Sequence, residues 1–318
     1  MACSLFERHD GFTFAYKVLG RDQRATPLVL VTGLSAVGLI DWLPLASHLA
    51  EKRPVLIFDN RGIGSSHVPK ERKEDRYTVQ DMADDVIELV KHLRWKAIDL
   101  LGFSMGGMIA QTVLVSPRLP FKIRHAVLTA TSAKPAHSDL LQAIPSSDGR
   151  VLSTEEKKKL VAPFIYIGYD PKFVADAKNK ALLERRITES VESRRPARTV
   201  QNQVGVIAGY DVRKKLGSIP PALPVLVLHG TLDRSVYYSE AKYILQGIKH
   251  AKLLSFDGVG HMSVVPIPFL SNVLLTPNFR WYDYYTPSYW ADLLSRFLSD
   301  QDVSSLVPPP SAPGKARL

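Results

Sequence analysis

Short apolar runs alternate with helical patterns through the first half of the chain, the arrangement expected of a mostly parallel β-sheet covered by helices on both faces. Residues 12–19, 28–32, 55–58, 97–101 and 125–129 read as strands, rich in Val, Leu, Ile, Phe and Ala and bounded by polar or turn-forming positions. Between them, residues 42–51 and 79–93 read as helices. In the second, Val79, Met82, Val86, Leu89, Val90 and Leu93 recur at the spacing of one helical face, and Thr78 with Asp81 supplies a capping-box pattern at its start.

The texture changes after Thr131. A polar stretch gives way to helical segments rich in Lys, Arg and Glu, until Pro220, Pro221 and Pro224 announce a strand at 225–228. A helix at 239–247, a strand at 252–256 and a last helix at 288–298 resume the earlier alternation. The division predicts a core in two parts, residues 1–132 and 220–300, interrupted by a helical lobe at 133–219 and carrying a long connection at 262–287. Residues 301–318, with Pro308, Pro309, Pro310 and Pro313, cannot build a core and are expected to form a mobile tail. No internal repeat is visible.

The chemistry concentrates at one turn. Gly102-Phe103-Ser104-Met105-Gly106-Gly107 follows the strand at 97–101 directly and precedes the helical pattern at 108–114. A strand that enters a helix through so few residues needs a sharp bend, which the glycines permit and which leaves the serine hydroxyl at its apex. Amides of the helix's first turn then face the place where negative charge would develop. G-x-S-x-G alone is common by chance, and the bland alternative is a tight turn without chemistry. The strand before it and the helix after it are the context that gives the motif weight.

A serine hydroxyl is a poor nucleophile until a base takes its proton, and the base must be held by a third group. His229-Gly230-Thr231-Leu232-Asp233 follows the strand at 225–228 and places Asp233 in a loop at a strand's carboxyl end. Asp257-Gly258-Val259-Gly260-His261 follows the strand at 252–256 and places His261 in the next such loop. Loops at the carboxyl ends of parallel strands share a crevice, so Ser104, Asp233 and His261 can converge. Asp211 and Asp257 compete with Asp233, although Asp257 stands too near His261 in the chain to reach behind its ring easily. Among the other histidines only His229 also lies at a strand end, where Gly230 suggests a turn.

Together with Asp59-Asn60-Arg61-Gly62-Ile63-Gly64-Ser65-Ser66, these segments make the chain resemble the α/β-hydrolases over nearly its whole length, and most nearly their lid-bearing esterases and enol-lactonases. The resemblance implies the α/β-hydrolase fold, a mostly parallel doubly wound sheet with an inserted helical lid at 133–219. It implies a triad of Ser104, Asp233 and His261 and an oxyanion hole built from the main-chain amides of Leu34 and Met105. Members commonly carry His-Gly where this chain has Thr32-Gly33, a change that leaves the amide donor in place. The activity implied is cleavage of a carboxylic ester, lactone or thioester through an acyl-enzyme, with no metal and no organic cofactor. Asp59 to Gly64 reads as a structural turn beneath the site. Serine at the elbow, where epoxide hydrolases and dehalogenases carry aspartate, disfavours those chemistries. The alternative class is a non-hydrolytic member, either a cyclase or acyltransferase or a receptor-like module that binds a ligand.

The expected partner is a small acyl substrate. Trp281 and Tyr285, in the long connection after His261, either line one wall of an apolar acyl pocket or anchor an irregular loop to the core. The net charge of +10 is spread through mixed clusters such as Lys70-Glu71-Arg72-Lys73-Glu74-Asp75-Arg76, which read as solvated surface and not as a nucleic-acid interface. Within 133–219, sixteen Lys and Arg stand against ten Asp and Glu, an excess that either draws anionic substrates or forms a solvated basic face. The single cysteine, Cys3, excludes an internal disulfide. No window approaches a membrane span, and the opening residues lack the order of a secretory signal. The terminal Ala316-Arg317-Leu318 resembles a peroxisomal address of the Ser-Lys-Leu type, so a peroxisomal location and an import receptor are expected, with the cytoplasm as the alternative.

Overall fold

Eight strands form one sheet in a computed structural model that describes residues 3–73, 75–142, 152–261 and 285–306. In chain order they are Ser4–Glu7 (β1), Thr13–Leu19 (β2), Leu28–Val31 (β3), Val55–Phe58 (β4), Ala97–Phe103 (β5), Lys122–Thr129 (β6), Val225–Gly230 (β7) and Lys252–Phe256 (β8). Their spatial order is β1-β2-β4-β3-β5-β6-β7-β8. From β4 to β8 every pairing is parallel, whereas β2 runs antiparallel to both β4 and β1. The architecture expected of an α/β-hydrolase is therefore present, with one addition. The edge strand β1 carries no alternating pattern because three of its four residues are exposed and only Phe6 meets the core.

The helices fall into groups on either side of β6. Gly38–Asp41 (α1), Leu43–Leu49 (α2), Val79–His92 (α3) and Met105–Leu114 (α4) precede it. Asp139–Gln142 (α5), Thr154–Ile167 (α6), Pro171–Ala175 (α7), Lys180–Glu192 (α8) and Ala197–Ala208 (α9) lie between β6 and β7. Ala241–Gly247 (α10) and Pro287–Phe297 (α11) complete the chain's helices among the described residues.

The central strands are buried on both faces, which is why they read as continuous apolar runs. Successive side chains go to opposite layers. Val29, Val31, Leu56, Phe58, Ile98 and Leu100 pack with α3 and α4, while Leu28, Leu30, Val55, Ile57 and Leu101 pack with α2 and α11. Helix α3 begins at the capping box read from the sequence. The Asp81 amide donates to Thr78 Oγ1 at 3.2 Å, and Asp81 Oδ2 accepts from the Thr78 amide at 2.7 Å. Its apolar face, Met82, Val86, Leu89 and Val90, is buried.

The segment between β6 and β7 is attached in two ways. Ile165, Tyr169, Leu183 and Ile187 make a small core of their own, joining α6 to α8. Helix α9 instead sends Val206 and Ile207 into the main core beneath the sheet's helices.

The turn after β4 is structural in its contacts. Asp59 Oδ1 accepts from the Leu39 amide at 3.0 Å and Oδ2 from the Ser65 amide at 2.8 Å. Ser66 Oγ donates to the Asp59 carbonyl at 2.7 Å and accepts from the Ala15 amide at 2.9 Å, tying the turn to β2. Arg61 is buried against Asp85 of α3, with bonds of 2.6 and 2.7 Å.

Burial disfavours the charged form of Asp59 and outweighs its backbone donors, so its carboxyl is pushed up from 3.8 to about 6. Between those values the folded chain holds this proton and the unfolded chain releases it. Stability contributed by the group is therefore full below the lower value and is lost as pH rises through the upper one. The expected size is about 3 kcal/mol, from roughly 1.4 kcal/mol per pH unit. Urea unfolding of wild type and Asp59→Asn across pH 4 to 7 should give curves that diverge by about this amount, and parallel curves would refute it.

Candidate active site

Strand β5 does not stop at Leu101 but continues through Phe103, and α4 starts at Met105, so the entire bend falls on Ser104. Its backbone takes φ +55° and ψ −123°, a conformation that is costly for a residue with a Cβ. Beside the ordinary helical bond from the Met108 amide to its carbonyl at 3.3 Å, three shorter bonds hold it there. The Ser104 amide donates to the Thr129 carbonyl at 2.9 Å, and the Ser104 carbonyl accepts from the Gly107 amide at 2.8 Å and from Thr131 Oγ1 at 2.7 Å. A Cβ on Gly106 would lie 2.2 Å from the Val31 carbonyl oxygen, so glycine there is what lets α4 seat against the end of β3.

Ser104 is only 8% exposed, closed over by the loop that follows β3. A Cβ on Gly33 would lie 3.1 Å from the Ser104 Cβ, which puts this loop in contact with the serine. Asn60 Nδ2 donates to the Thr32 carbonyl at 3.3 Å, so the structural turn supports the same loop. Leu34 is half-buried and packs on the main core. Among the described residues, neither its main-chain N–H nor that of Met105 donates to a partner.

Asp233 and His261 are joined. His261 Nδ1 lies 2.7 Å from Asp233 Oδ2, and both side chains are buried. The other carboxylate oxygen accepts from the amides of Ser235 at 2.9 Å and Val236 at 2.8 Å. Burial alone would raise the Asp233 pKa, but the charges and hydrogen bonds of His261 and His229 overcome it and hold the carboxyl at about 2. The rival acids are engaged elsewhere: Thr231 Oγ1 donates to Asp257 Oδ1 at 3.1 Å, and Arg213 binds Asp211 at 2.6 Å.

The His261 ring also packs on Phe103, the residue before Ser104, with centroids 4.9 Å apart. Ser104 and His261 thus share a neighbour, but among the described residues the serine hydroxyl makes no hydrogen bond. The carboxylate and the imidazole meet directly, and the imidazole reaches the elbow through Phe103.

His229, which from the sequence competes with His261, takes a different place in this arrangement. The pair His229-Gly230 is not a turn, because β7 runs through both residues. A Cβ on Gly230 would lie 2.2 Å from the Val259 carbonyl oxygen, so the glycine serves the close approach of the loop that carries His261. The fully buried His229 places Nε2 2.9 Å from the Val236 carbonyl and 3.3 Å from Asp233 Oδ2, the same carboxylate oxygen that His261 meets. Its spacing four residues before Asp233 was visible, but its orientation was not.

Tyr285 lies in an aromatic cluster, with ring centroids 5.8 Å from Phe256, 4.6 Å from Tyr289 and 5.7 Å from Trp290. Trp281, most of the connection at 262–287, and the terminal Ala316, Arg317 and Leu318 lie outside the described residues. Among the described residues no group of three or more His, Cys, Asp or Glu could hold a metal ion, and no helix is long and apolar enough to cross a membrane.

The profile of the alpha/beta hydrolase fold matches residues 26–266. Proline iminopeptidase of Lactobacillus crispatus is 26% identical over 275 residues, spanning 80% of this chain and 90% of the relative. The 3-oxoadipate enol-lactonase 2 of Acinetobacter baylyi is 22% identical over 253 residues, spanning 80% and 88%. Among solved structures, a serine hydrolase from the polyaromatic-hydrocarbon-degrading bacterium Cycloclasticus zankles superposes with a TM-score of 0.69 at 20% identity, over 93% of this chain and 97% of that one. The matched profile runs from just before β3 to just beyond His261 and takes in the elbow and both strand-end loops, and by it the chain belongs to the α/β-hydrolase family.

Proposed function

We propose that the protein is a serine hydrolase that cleaves a carboxylic ester, lactone or thioester, with Ser104 as nucleophile, His261 as base and Asp233 as its orienting acid. The observation that carries this reading is the buried Asp233–His261 pair, whose imidazole packs on Phe103 directly before a serine held in a strained elbow. A carboxyl held at about 2 is ionised at any working pH, so it can fix the ring's tautomer and stabilise the imidazolium. With Nδ1 donating to Asp233, Nε2 is left to take the serine proton.

In the first half-reaction Ser104 Oγ attacks the carbonyl carbon as its proton passes to His261 Nε2. The charge that develops on the carbonyl oxygen is met by the amides of Met105 and Leu34, the first lying at the start of α4 and the second in the loop against Ser104. The imidazolium then protonates the leaving alkoxide or thiolate. Water repeats the attack on the acyl-enzyme with His261 again as base, releasing the acid and restoring the serine. Bonds between serine and histidine in sites of this kind are often long without substrate and close when it binds. We read the helices between β6 and β7 as the lid over this centre, and we assign an ester or lactone as substrate with an enol-lactonase among the relatives in support, while the proline iminopeptidase among them makes a prolyl amide the competing substrate to test.

A fluorophosphonate probe should label the wild-type protein at one site, and Ser104→Ala should abolish the labelling. A folded wild type that stays unlabelled would transfer the weight to a cyclase or ligand-binding role. On a panel of para-nitrophenyl esters, lactones, acyl-CoA thioesters and a prolyl amide, wild type should turn over at least one ester or lactone faster than the amide. On that substrate Asp233→Asn should lower kcat by about 10⁴-fold, because the ring then loses its correct tautomer. A loss below tenfold would remove Asp233 from the role.

A further inference from the structure

Leu34 contributes its amide to the proposed oxyanion hole, and the residue that follows it is held in an unusual way. Ser35 has a left-handed backbone, with φ +60°. Its N–H donates to Gln203 Oε1 at 2.7 Å, and its carbonyl accepts from Arg195 Nε at 2.6 Å. These are the shortest bonds on this loop, and both partners are far away in the chain, at separations of 168 and 160 residues. The loop's own turn, from the Ala36 amide to the Gly33 carbonyl, is long at 3.4 Å. The bonds that grip Ser35 most tightly therefore come from the segment inserted between β6 and β7.

That grip is anchored. Gln203 is fully buried on α9, and because Ser35 presents an N–H, the side-chain amide must turn its oxygen toward it. Arg195 stands one residue before Pro196, the N-cap of α9, and also donates Nη1 to the Ser190 carbonyl at 2.8 Å and to Ser190 Oγ at 2.9 Å, on α8. Desolvation pulls the Arg195 guanidinium below its ordinary pKa, with the charges of Asp41 and Asp59 acting the other way. Its neighbour Arg194 fixes the start of α9 to the structural turn, with Nη1 donating to the carbonyls of Gly62, Gly64 and Ser66 at 3.3, 3.0 and 3.0 Å. Tyr77 on the core side donates its hydroxyl to the Thr199 carbonyl at 3.2 Å.

The peptide plane that carries the Ser35 N–H adjoins the plane that carries the Leu34 N–H. Gln203 holds that first plane by its N–H, and Arg195 holds the following plane, which carries the Ser35 carbonyl, so both flanks of the Ser35 Cα are fixed and rotation of the Leu34 plane next to them is restricted. We infer that Gln203 and Arg195 are positioning residues: by holding both sides of Ser35 they aim the Leu34 amide at the oxyanion, so that the inserted segment sets the donor geometry of the core's active site. This inference rests on the serine-hydrolase reading above. An aimed donor acts only where charge develops, so its loss falls on kcat and spares KM.

The test uses the full-length protein with para-nitrophenyl butyrate as substrate, kcat being expressed per serine titrated by the fluorophosphonate probe. Gln203→Met keeps side-chain volume and removes the acceptor. It should lower kcat by about 10- to 100-fold with KM within about threefold, less than the loss of a whole donor because Leu34 is loosened and not deleted. Binding of phenylboronic acid, which forms a tetrahedral adduct on the serine, should weaken by about the factor by which kcat/KM falls. Arg195→Met should act the same way, and Arg195→Lys, which keeps a donor near the Ser35 carbonyl, should recover most of the loss. Should Arg195→Met fail to fold, Gln203→Met carries the test, with Gln203→Glu as the variant that keeps an acceptor oxygen. Variants that titrate fully and keep kcat within twofold overturn the inference while leaving the hydrolase reading intact, as does an equal rise in KM with kcat unchanged. A wild type that neither labels nor turns over the ester overturns both.

Discussion

The site depends on one strained residue. Because Ser104 alone turns β5 into α4, the helix must start within a single peptide of the strand's end, and its first turn must lie hard against β3. Gly106 makes that approach possible, and the Thr129, Thr131 and Gly107 bonds hold the backbone where it would not otherwise stay. Everything else follows from position in the sheet. β5 is central, flanked by β3 and β6, and the pairings from β3 to β8 are parallel, so the loops after β3, β7 and β8 leave the sheet at the same end as the serine. Leu34, Asp233 and His261 stand on those three loops.

Two buried carboxylates in this fold show how the environment sorts acids by role. Asp59 and Asp233 each accept main-chain N–H bonds and each are fully enclosed. The first is pushed up to about 6, where burial wins over backbone donors. The second is held at about 2, although burial acts on it as well, because two imidazoles approach one of its oxygens. The difference is the pair of imidazoles that bond to Asp233, where Asp59, among the described residues, has only main-chain donors beside it. His229 therefore matters through Asp233: its hydrogen bond helps to offset the cost of burying that carboxylate.

The features legible in the sequence are those with a local cause. Apolar runs buried on both faces, the capping box of Thr78 and Asp81, the glycines of the elbow and the placement of Asp233 and His261 after strands all follow from neighbours a few residues away. The features that escaped are made by distance or orientation. β1 is too exposed to leave an apolar pattern. His229 looked like a turn residue because Gly230 follows it, whereas that glycine answers a contact with Val259 from another loop. For Tyr285 the sequence leaves pocket wall and anchor open, and its described contacts are with Phe256, Tyr289 and Trp290 at the edge of the core. No periodicity encodes the pairing of Ser35 with Gln203 across most of a domain.

The same distinction explains why the segment between β6 and β7 reads as one lobe and is not packed as one. Helices α6 and α8 bury Ile165, Leu183 and Ile187 against each other, a small core that could change its surface without disturbing the sheet. Helix α9 buries Val206 and Ile207 in the main core and places Gln203 against the loop after β3. An amide buried in that position without its partner would cost about 1–3 kcal/mol, so the position of α9 and the conformation of Ser35 penalise each other's displacement. The polar contact that looks like a detail of packing is thus a constraint on the loop nearest the serine. It is enforced by desolvation, and it comes from the part of the chain that sequence texture sets apart from the core.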